Sequence, residues 1–385
     1  MAGARRWAIA AAGLLALSSA PAQADFKLGF VISLTGPAAT IGVPYSHGIA
    51  AAHDYMPSLA GEPVTIIELD DASDPSAASR DARKLVEEDK VDALIGTATS
   101  SAAAAVAAVA DELKVPFISL SPLKAPLADD GTLWSLNVTQ PPQLMVKVVA
   151  DRIVRDGVKR LAYIGYSEAW GDFVYQGAKA NEKPDGLQVV TNERYARTDT
   201  SVTGQTLKIL AARPEGVIDG GSGTQGALPL LALAERGYKG KLYGTPGLVN
   251  ADFIRVGGKA VEGILCSGGP AVVADQLPDD HYAKKIALAF RAAYQKVNGA
   301  PSTDSFSPYA FDAWLILADA AGRAKAKAQP GSPEFHAALR DALFSVKELA
   351  GAQGVYNFTP ASSYGVDERA LVLMRLVDGK WVYAP

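Results

Sequence analysis

The segment Gly96-Thr97-Ala98-Thr99-Ser100-Ser101 lies between an apolar run and an alanine-rich stretch, so its hydroxyls stand beside the free N–H groups that open a helix. That chemistry is anion binding. A helix start presents unpaired donors and a partial positive charge, worth roughly 0.3 to 1 kcal/mol toward a carboxylate and more when partly buried. The plainer alternative is that Thr99 or Ser100 only caps its own helix. A second group of donors, Ser119-Leu120-Ser121-Pro122-Leu123-Lys124, ends the next apolar run. Ser121 is the better contact there, since a loop lysine such as Lys124 is by default solvated.

Three other motifs suggest chemistry. Gly221-Ser222-Gly223-Thr224-Gln225-Gly226 fits G-x-G-x-x-G between a strand and a helix, the context of a dinucleotide site. Such a site also needs an acid about 20 residues later to hold the ribose hydroxyls, and residues 238–250 contain neither Asp nor Glu. A nicotinamide enzyme is therefore disfavoured, and Gly223 and Thr224 remain as places where a small ligand can approach the backbone. Gly165-Tyr166-Ser167-Glu168-Ala169 nearly matches the nucleophile elbow of a hydrolase but lacks its last glycine. Of the histidines, His281 and His336 follow Ser167 in the required order, yet both fall in helical stretches; His47 and His53 precede it. There is no H-E-x-x-H, C-x-x-C or clustered carboxylate motif. The expectation is a protein that is not an enzyme and uses no cofactor or metal. Trp170, opening the helix after the elbow-like turn, is placed to stack on a ligand, with a core tryptophan as the alternative; Tyr45 and Tyr166 are aromatic candidates at similar edges.

Composition sets the frame for these residues. Arg5 and Arg6, the apolar run 7–17 and Ala22-Gln23-Ala24 read as a signal peptide cut after Ala24, because the run is too short to span a bilayer. An export leader implies a periplasmic protein. The leader holds two arginines and no acid, so its removal takes the formal net charge from −4 to about −6, which disfavours nucleic acid and anionic membranes as partners. The single cysteine, Cys266, excludes an internal disulfide. The rest of the chain exceeds the roughly 250 to 300 residues that one core usually serves, which argues for two domains.

What positions the motifs is repeated βα alternation. Strands are expected at 27–32, 64–69, 91–95 and 116–120, with helices at 42–56, 75–89 and 100–113 between them. Asp74 before Pro75 is an N-cap and N1 pair for the second of these helices. A second series follows: helix 143–156, strand 160–164, helix 171–180, strands 187–191 and 217–219, helix 226–236, and strands 241–243 and 263–266. Helices at 279–297, 308–324 and 333–344 and strands near Tyr356 and at 371–377 complete the chain. The fold class is α/β: two doubly wound parallel-sheet lobes, with a ligand cleft between their carboxyl edges.

Several short motifs, in their order and spacing, resemble the branched-chain amino-acid-type substrate-binding proteins of ABC transporters. They are Leu34-Thr35-Gly36-Pro37 followed by Ile41-Gly42 and Gly48, Leu94-Ile95-Gly96 with Ser100-Ser101, Val115-Pro116-Phe117-Ile118-Ser119, Trp170-Gly171-Asp172 and Ala310-Phe311-Asp312-Ala313. The resemblance spans nearly the whole chain and implies the type I periplasmic binding fold. It also implies that Ser100 and the segment 121–123 hold a ligand carboxylate while Trp170 covers it from the other lobe. By the same analogy the chain crosses between lobes near Gln140, Pro270 and Phe358. Lobe 1 is then 25–140 plus 271–357, and lobe 2 is 141–270 plus 358–385. The expected protein is a monomer that closes about a hinge on a small-molecule carboxylate and passes it to a membrane permease. Two departures bear on the cargo. Where amino-acid binders of the family carry an acid for the ligand's ammonium, this chain has Gln225, and an unpaired buried ammonium costs several kcal/mol. Leu123 replaces a usual hydroxyl by apolar surface. The subgroup with this turn looks like binders of aromatic carboxylates, related to benzoate or benzoylformate. A branched-chain or other amino acid, or a periplasmic sensor role, is the alternative.

Overall fold

A computed structural model describes residues 26–385; the leader and its cleavage after Ala24 lie outside the described residues. The apolar run from Phe26 becomes β1 (Phe26–Ile32), followed by α1 (Ala39–Tyr55), the short β2 (Ser58–Leu59), β3 (Glu62–Asp70) and α2 (Pro75–Glu87). Then come β4 (Ala93–Gly96), α3 (Ser100–Leu113), β5 (Phe117–Ser119) and β6 (Ser135–Asn137). Local chemistry fixes the helix starts: Asp74 accepts a hydrogen bond from the Ala77 N–H at 2.7 Å, with Pro75 in the first turn. The helix expected from Gly42 begins three residues earlier, at Ala39.

The second series runs α4 (Pro142–Arg155), β7 (Arg160–Tyr166), α5 (Ala169–Ala180), β8 (Gln188–Tyr195), α6 (Thr203–Ala211) and β9 (Gly216–Gly220). It goes on with α7 (Ala227–Glu235), β10 (Lys241–Gly244), α8 (Ala251–Gly257) and β11 (Leu265–Gly268). Next are α9 (Lys284–Asn298), α10 (Ser307–Lys325), α11 (Pro333–Leu343), the two-residue strands β12 (Leu349–Ala350) and β13 (Val355–Tyr356), and finally β14 (Val372–Val377) and β15 (Lys380–Tyr383). The glycine turn at 221–226 ends in a single 3-10 turn, Thr224–Gly226, that leads directly into α7 at Ala227.

Two main sheets result. The first has the order β2-β3-β1-β4-β5-β6 and is parallel apart from β2; the second has the order β15-β14-β11-β10-β9-β7-β8 and is parallel apart from β14, which pairs antiparallel with both β11 and β15. Successive strand residues point to opposite faces. Phe30, Ile95 and Ile118 therefore pack with Ile49, Phe311 and Trp314, whereas their neighbours Val31, Leu94 and Phe117 pack with Ala78, Leu85 and Val106. A sheet covered by helices on both faces explains why its strands read as unbroken apolar runs. The helices after β11 return to the first sheet: Phe290 of α9 and Phe311 of α10 belong to the same cluster as Ile49 of α1. The second sheet is held by a single cluster that includes Val149, Ile164, Val174, Ile218, Leu230 and Met374. Each large apolar side chain buried in this way contributes about 1.5 to 3 kcal/mol.

Strand order reverses once in each sheet. In the first, the chain steps from β1 to β3 on one side and then to β4 on the other; in the second it steps from β7 to β8 and then back to β9. The crevices that open at such reversals, beyond the carboxyl ends of the strands, are where open α/β sheets take ligands. The loops after β1 and β4 face those after β7 and β9.

Candidate functional site

Between these facing loops is a narrow cavity lined from both sheets, the place where a two-sheet protein of this kind takes a small molecule. Each parallel strand near the reversals sends a residue to it: Ile41 from beyond β1, Ala98, Thr99 and Ser100 after β4, and Ser121 and Pro122 after β5. From the second sheet come Trp170 after β7, Arg197 after β8, Ser222 after β9, and Pro246 and Gly247 after β10. Tyr45, Thr139, Met145, Phe306 and Tyr309 fill the remaining wall.

The hydroxyls divide into committed and free. The Thr99 side chain caps α3, accepting from the Ala102 N–H at 3.2 Å, so at this residue the plain capping alternative holds. The Ser121 hydroxyl donates to the Thr97 carbonyl at 2.8 Å. Ser100 is 4 % exposed, and its hydroxyl has no partner among the described residues. Thr139, 2 % exposed, likewise has an oxygen without a hydrogen bond. Because α3 begins at Ser100, its first N–H groups lie beside the Ser100 hydroxyl at the cavity wall.

Arg197 is the only charged residue in the lining. Its Nε lies 2.7 Å and its Nη2 2.5 Å from Glu168 Oε1, its Nη1 donates to Ser222 Oγ at 3.0 Å, and its guanidinium carbon sits 4.1 Å from the centre of the Tyr166 ring. Burial opposes its charge, but Tyr166 and Glu168 together outweigh burial and keep its pKa above the ordinary arginine value. Guanidinium has five donors in a rigid fork, so those three contacts leave donors free. Behind it, the Tyr166 hydroxyl donates to the Ser222 carbonyl at 2.6 Å and its ring packs on Tyr195. The indole of Trp170 is pinned by donation from Nε1 to the Gly221 carbonyl at 3.1 Å. Gly171 allows that placement, because a Cβ there would stand 1.9 Å from the Tyr166 carbonyl oxygen. The Gly221 N–H in turn donates to Asp219 at 2.6 Å; burial pushes that carboxyl up to about 8, and the hydrogen bond offsets only part of the rise.

Of the residues expected from sequence, Tyr45, Thr99, Ser100, Ser121 and Trp170 are brought together at the cavity. Five are not. Tyr166 is fully buried one layer behind Arg197. Leu123 and Lys124 line a separate groove with Phe173 and Tyr364, since the chain has turned away from the cavity after Pro122. Gln225 offers its backbone carbonyl to the Tyr195 hydroxyl at 3.2 Å. At Gly223 (φ +60°) and Thr224, what comes close is the facing lobe: the Thr224 N–H lies 3.4 Å from the Thr40 hydroxyl oxygen, and a Cβ on Gly223 would stand 2.7 Å from it. Arg197, Ser222, Thr139, Phe306 and Tyr309 were not foreseen. Arg197 was hidden because the strand expected at 187–191 runs on to Tyr195 and delivers it. Ser167, the possible nucleophile, donates to the Tyr195 carbonyl, and no histidine lines the cavity. Among the described residues no group of three His, Cys, Asp or Glu is arranged to hold a metal ion, and no helix is long and apolar enough to cross a membrane.

Comparison with known proteins gives this geometry a family. The profile of the periplasmic binding proteins matches residues 25–380. The chain belongs to that family. The Leu/Ile/Val-binding protein BraC3 of Rhizobium johnstonii is 27% identical over 343 residues, covering 88% of this chain and 89% of the relative. The crystal structure of an extracellular ligand-binding receptor from Rhodopseudomonas palustris HaA2 is 38% identical, with a TM-score of 0.89 over 94% of this chain and all (100%) of that one. A solute-binding protein of an R. palustris ABC transporter, solved in complex with benzoate, shares the fold at 21% identity, with a TM-score of 0.78 over 94% of this chain and 95% of that one. The fold is the type I periplasmic binding fold, and the protein is a periplasmic binding protein of the branched-chain amino-acid ABC transporter type. Members of the family are solute-binding proteins rather than enzymes; they bind small molecules in the periplasm and work with ABC transporter permeases.

Proposed function

We propose that this chain is the solute-binding component of an ABC importer for a small carboxylate with an apolar, aromatic body and no ammonium group. One observation carries the reading: the cavity is lined by aromatic and apolar side chains, free hydroxyls and one arginine, and by no carboxylate. An α-ammonium in such a wall meets no counter-charge and faces Arg197 instead, which costs several kcal/mol. A carboxylate finds the start of α3 with the Ser100 hydroxyl on one side and Arg197 with Ser222 on the other. Tyr45, Trp170 and Phe306 line the cavity with rings against which a flat body can pack. The benzoate complex of a protein with this fold is in keeping with that choice.

In this proposal lobe 1 comprises 25–140 plus 271–357 and lobe 2 comprises 141–270 plus 358–385. The protein is a monomer, exported by a leader that is cleaved after Ala24, whose lobes swing together once the carboxylate has docked on lobe 1. The permease then recognises the closed form. Relatives named for leucine, isoleucine and valine support a second reading, in which the apolar wall receives an aliphatic side chain.

A thermal-shift screen separates the two. At about 100 times Kd a ligand adds about 2.7 kcal/mol to stability, so benzoate, hydroxybenzoates or benzoylformate should raise the melting temperature where leucine, isoleucine and valine do not. Stabilisation by the amino acids alone would overturn the carboxylate reading in favour of the second.

A further inference from the structure

Tyr309 lines the ligand cavity, yet its hydroxyl is used elsewhere: it donates to the Gln140 side-chain oxygen. Gln140 lies where the chain leaves the first sheet for the second, is 1 % exposed, and does not line the cavity. Its amide nitrogen donates to two carbonyls, Gln353 at 3.2 Å and Ala370 at 2.9 Å, which flank the segment where the chain returns to the second sheet. Gln353, fully buried, donates in turn to the Ser305 carbonyl at 3.0 Å, just ahead of α10, and accepts from the Ala271 N–H at 3.4 Å. Ala271 belongs to the remaining passage, after β11. One cavity residue is therefore joined, through two buried amides, to all three passages between the sheets.

These bonds cannot be exchanged cheaply. A buried amide that loses one partner leaves a desolvated donor or acceptor behind, and the low dielectric of the interior makes that loss larger than at a surface. The two glutamines therefore have few alternative settings, and the position of the Tyr309 ring is tied to the setting they adopt. An apolar side chain would fill the same wall without this link.

We propose that Tyr309, acting through Gln140, is a positioning residue that couples occupancy of the cavity to the setting of the three passages between the lobes. The coupling rests on the hinge closure proposed above but not on the identity of the ligand. When the ring is displaced, the Gln140 amide turns and its two carbonyl partners move with it. When a ligand holds the ring in place, the closed setting is retained.

The test is made without ligand first. Cysteines replacing Arg80 in α2 and Leu207 in α6, both exposed, carry spin labels, while Cys266 is buried and stays unlabelled. Tyr309→Phe keeps the ring and removes the hydroxyl. It should shift the ligand-free label distances toward longer values, because the fraction of ligand-free protein that samples the closed setting has lost its tie. A distribution identical to that of the wild type would overturn the proposal, and no direct loss of ligand contact could explain a shift seen without ligand. Affinity for benzoate as a probe should fall roughly 3- to 10-fold, since apparent affinity scales with the fraction of competent protein. In a Gln140→Met background, Tyr309→Phe should have no further effect on the distances; an undiminished effect there would mean that the hydroxyl acts without Gln140 and would refute the relay. If benzoate does not bind the wild type, the ligand reading fails and the ligand-free distances still decide the coupling.

Discussion

Ser100→Ala separates ligand binding from folding most cleanly, because the structure gives the two jobs of this turn to adjacent residues. Thr99 caps α3 through its side chain, whereas the Ser100 hydroxyl has no partner among the described residues and lines the cavity. A hydrogen bond to a charged group is worth about 1.5 to 3 kcal/mol, and each 1.4 kcal/mol is tenfold in affinity. Ser100→Ala should therefore weaken carboxylate binding by roughly 10- to 100-fold. Unfolding of the ligand-free protein should stay within about 0.5 kcal/mol of wild type. Thr99→Ala should show the opposite balance, losing about 1 kcal/mol of stability with the cap. Isothermal titration with the best carboxylate from the screen, beside urea unfolding of the ligand-free proteins, measures both. A Ser100→Ala protein that binds like wild type, or that loses as much stability as Thr99→Ala, would refute the division of labour.

Two other perturbations follow from the opposite wall. Arg197→Met removes the only charge in the lining and strands Glu168, whose side chain is 24% exposed. Carboxylate affinity should drop at least about tenfold and stability by about 1 to 3 kcal/mol; a variant that instead gains affinity for leucine would show that the arginine was repelling an ammonium. Asp219 bears on pH. Its carboxyl, ordinarily at 3.8, is pushed up to about 8 by burial. Below about pH 4 it is neutral folded or unfolded. Between about 4 and 8 the unfolded chain ionises while the folded one keeps its proton, so stability falls as pH rises through that window. Asp219→Asn should flatten the fall in melting temperature between pH 5 and 8. Asp312, pushed up to about 7 by burial, should preserve a smaller slope. A slope unchanged from the wild type would show that Asp219 already ionises in the folded state.

Much of the architecture was legible because its signals are local. Apolar runs of four to seven residues between amphipathic stretches gave β1, β3, β4, β5 and β7, and Asp74 before Pro75 marked the start of α2. Less visible were β6, β15 and the short helices α6 and α8: three- and four-residue strands and one or two helical turns carry too little periodicity to rise above loop sequence. At the site, hydroxyls at the ends of strands could be read because strand ends are where open sheets bind. Thr139 and Tyr309 could not, since they reach the cavity from the hinge side and from a helix that returns to the first sheet from far along the chain, a relation set only by tertiary packing. Gly223 and Thr224, expected at the ligand, lie outside the cavity lining for a physical reason. A glycine-rich turn announces that something comes close to the backbone, and sequence cannot say whether that is a ligand or the rest of the protein.

At Gly223 it is the protein, and this bears on which cargoes fit. With the Thr40 hydroxyl 3.4 Å from the Thr224 nitrogen, and 2.7 Å from where a Cβ on Gly223 would stand, the two lobes meet here on backbone and hydroxyl atoms. In the closure proposed above, that contact would act as a mechanical stop. The gap between the walls is then a gauge set by the protein, so a shorter solute is not gripped more tightly by further travel, and a longer one holds the stop open and forfeits the bond. On that proposal, selection by length is built into a turn outside the cavity lining.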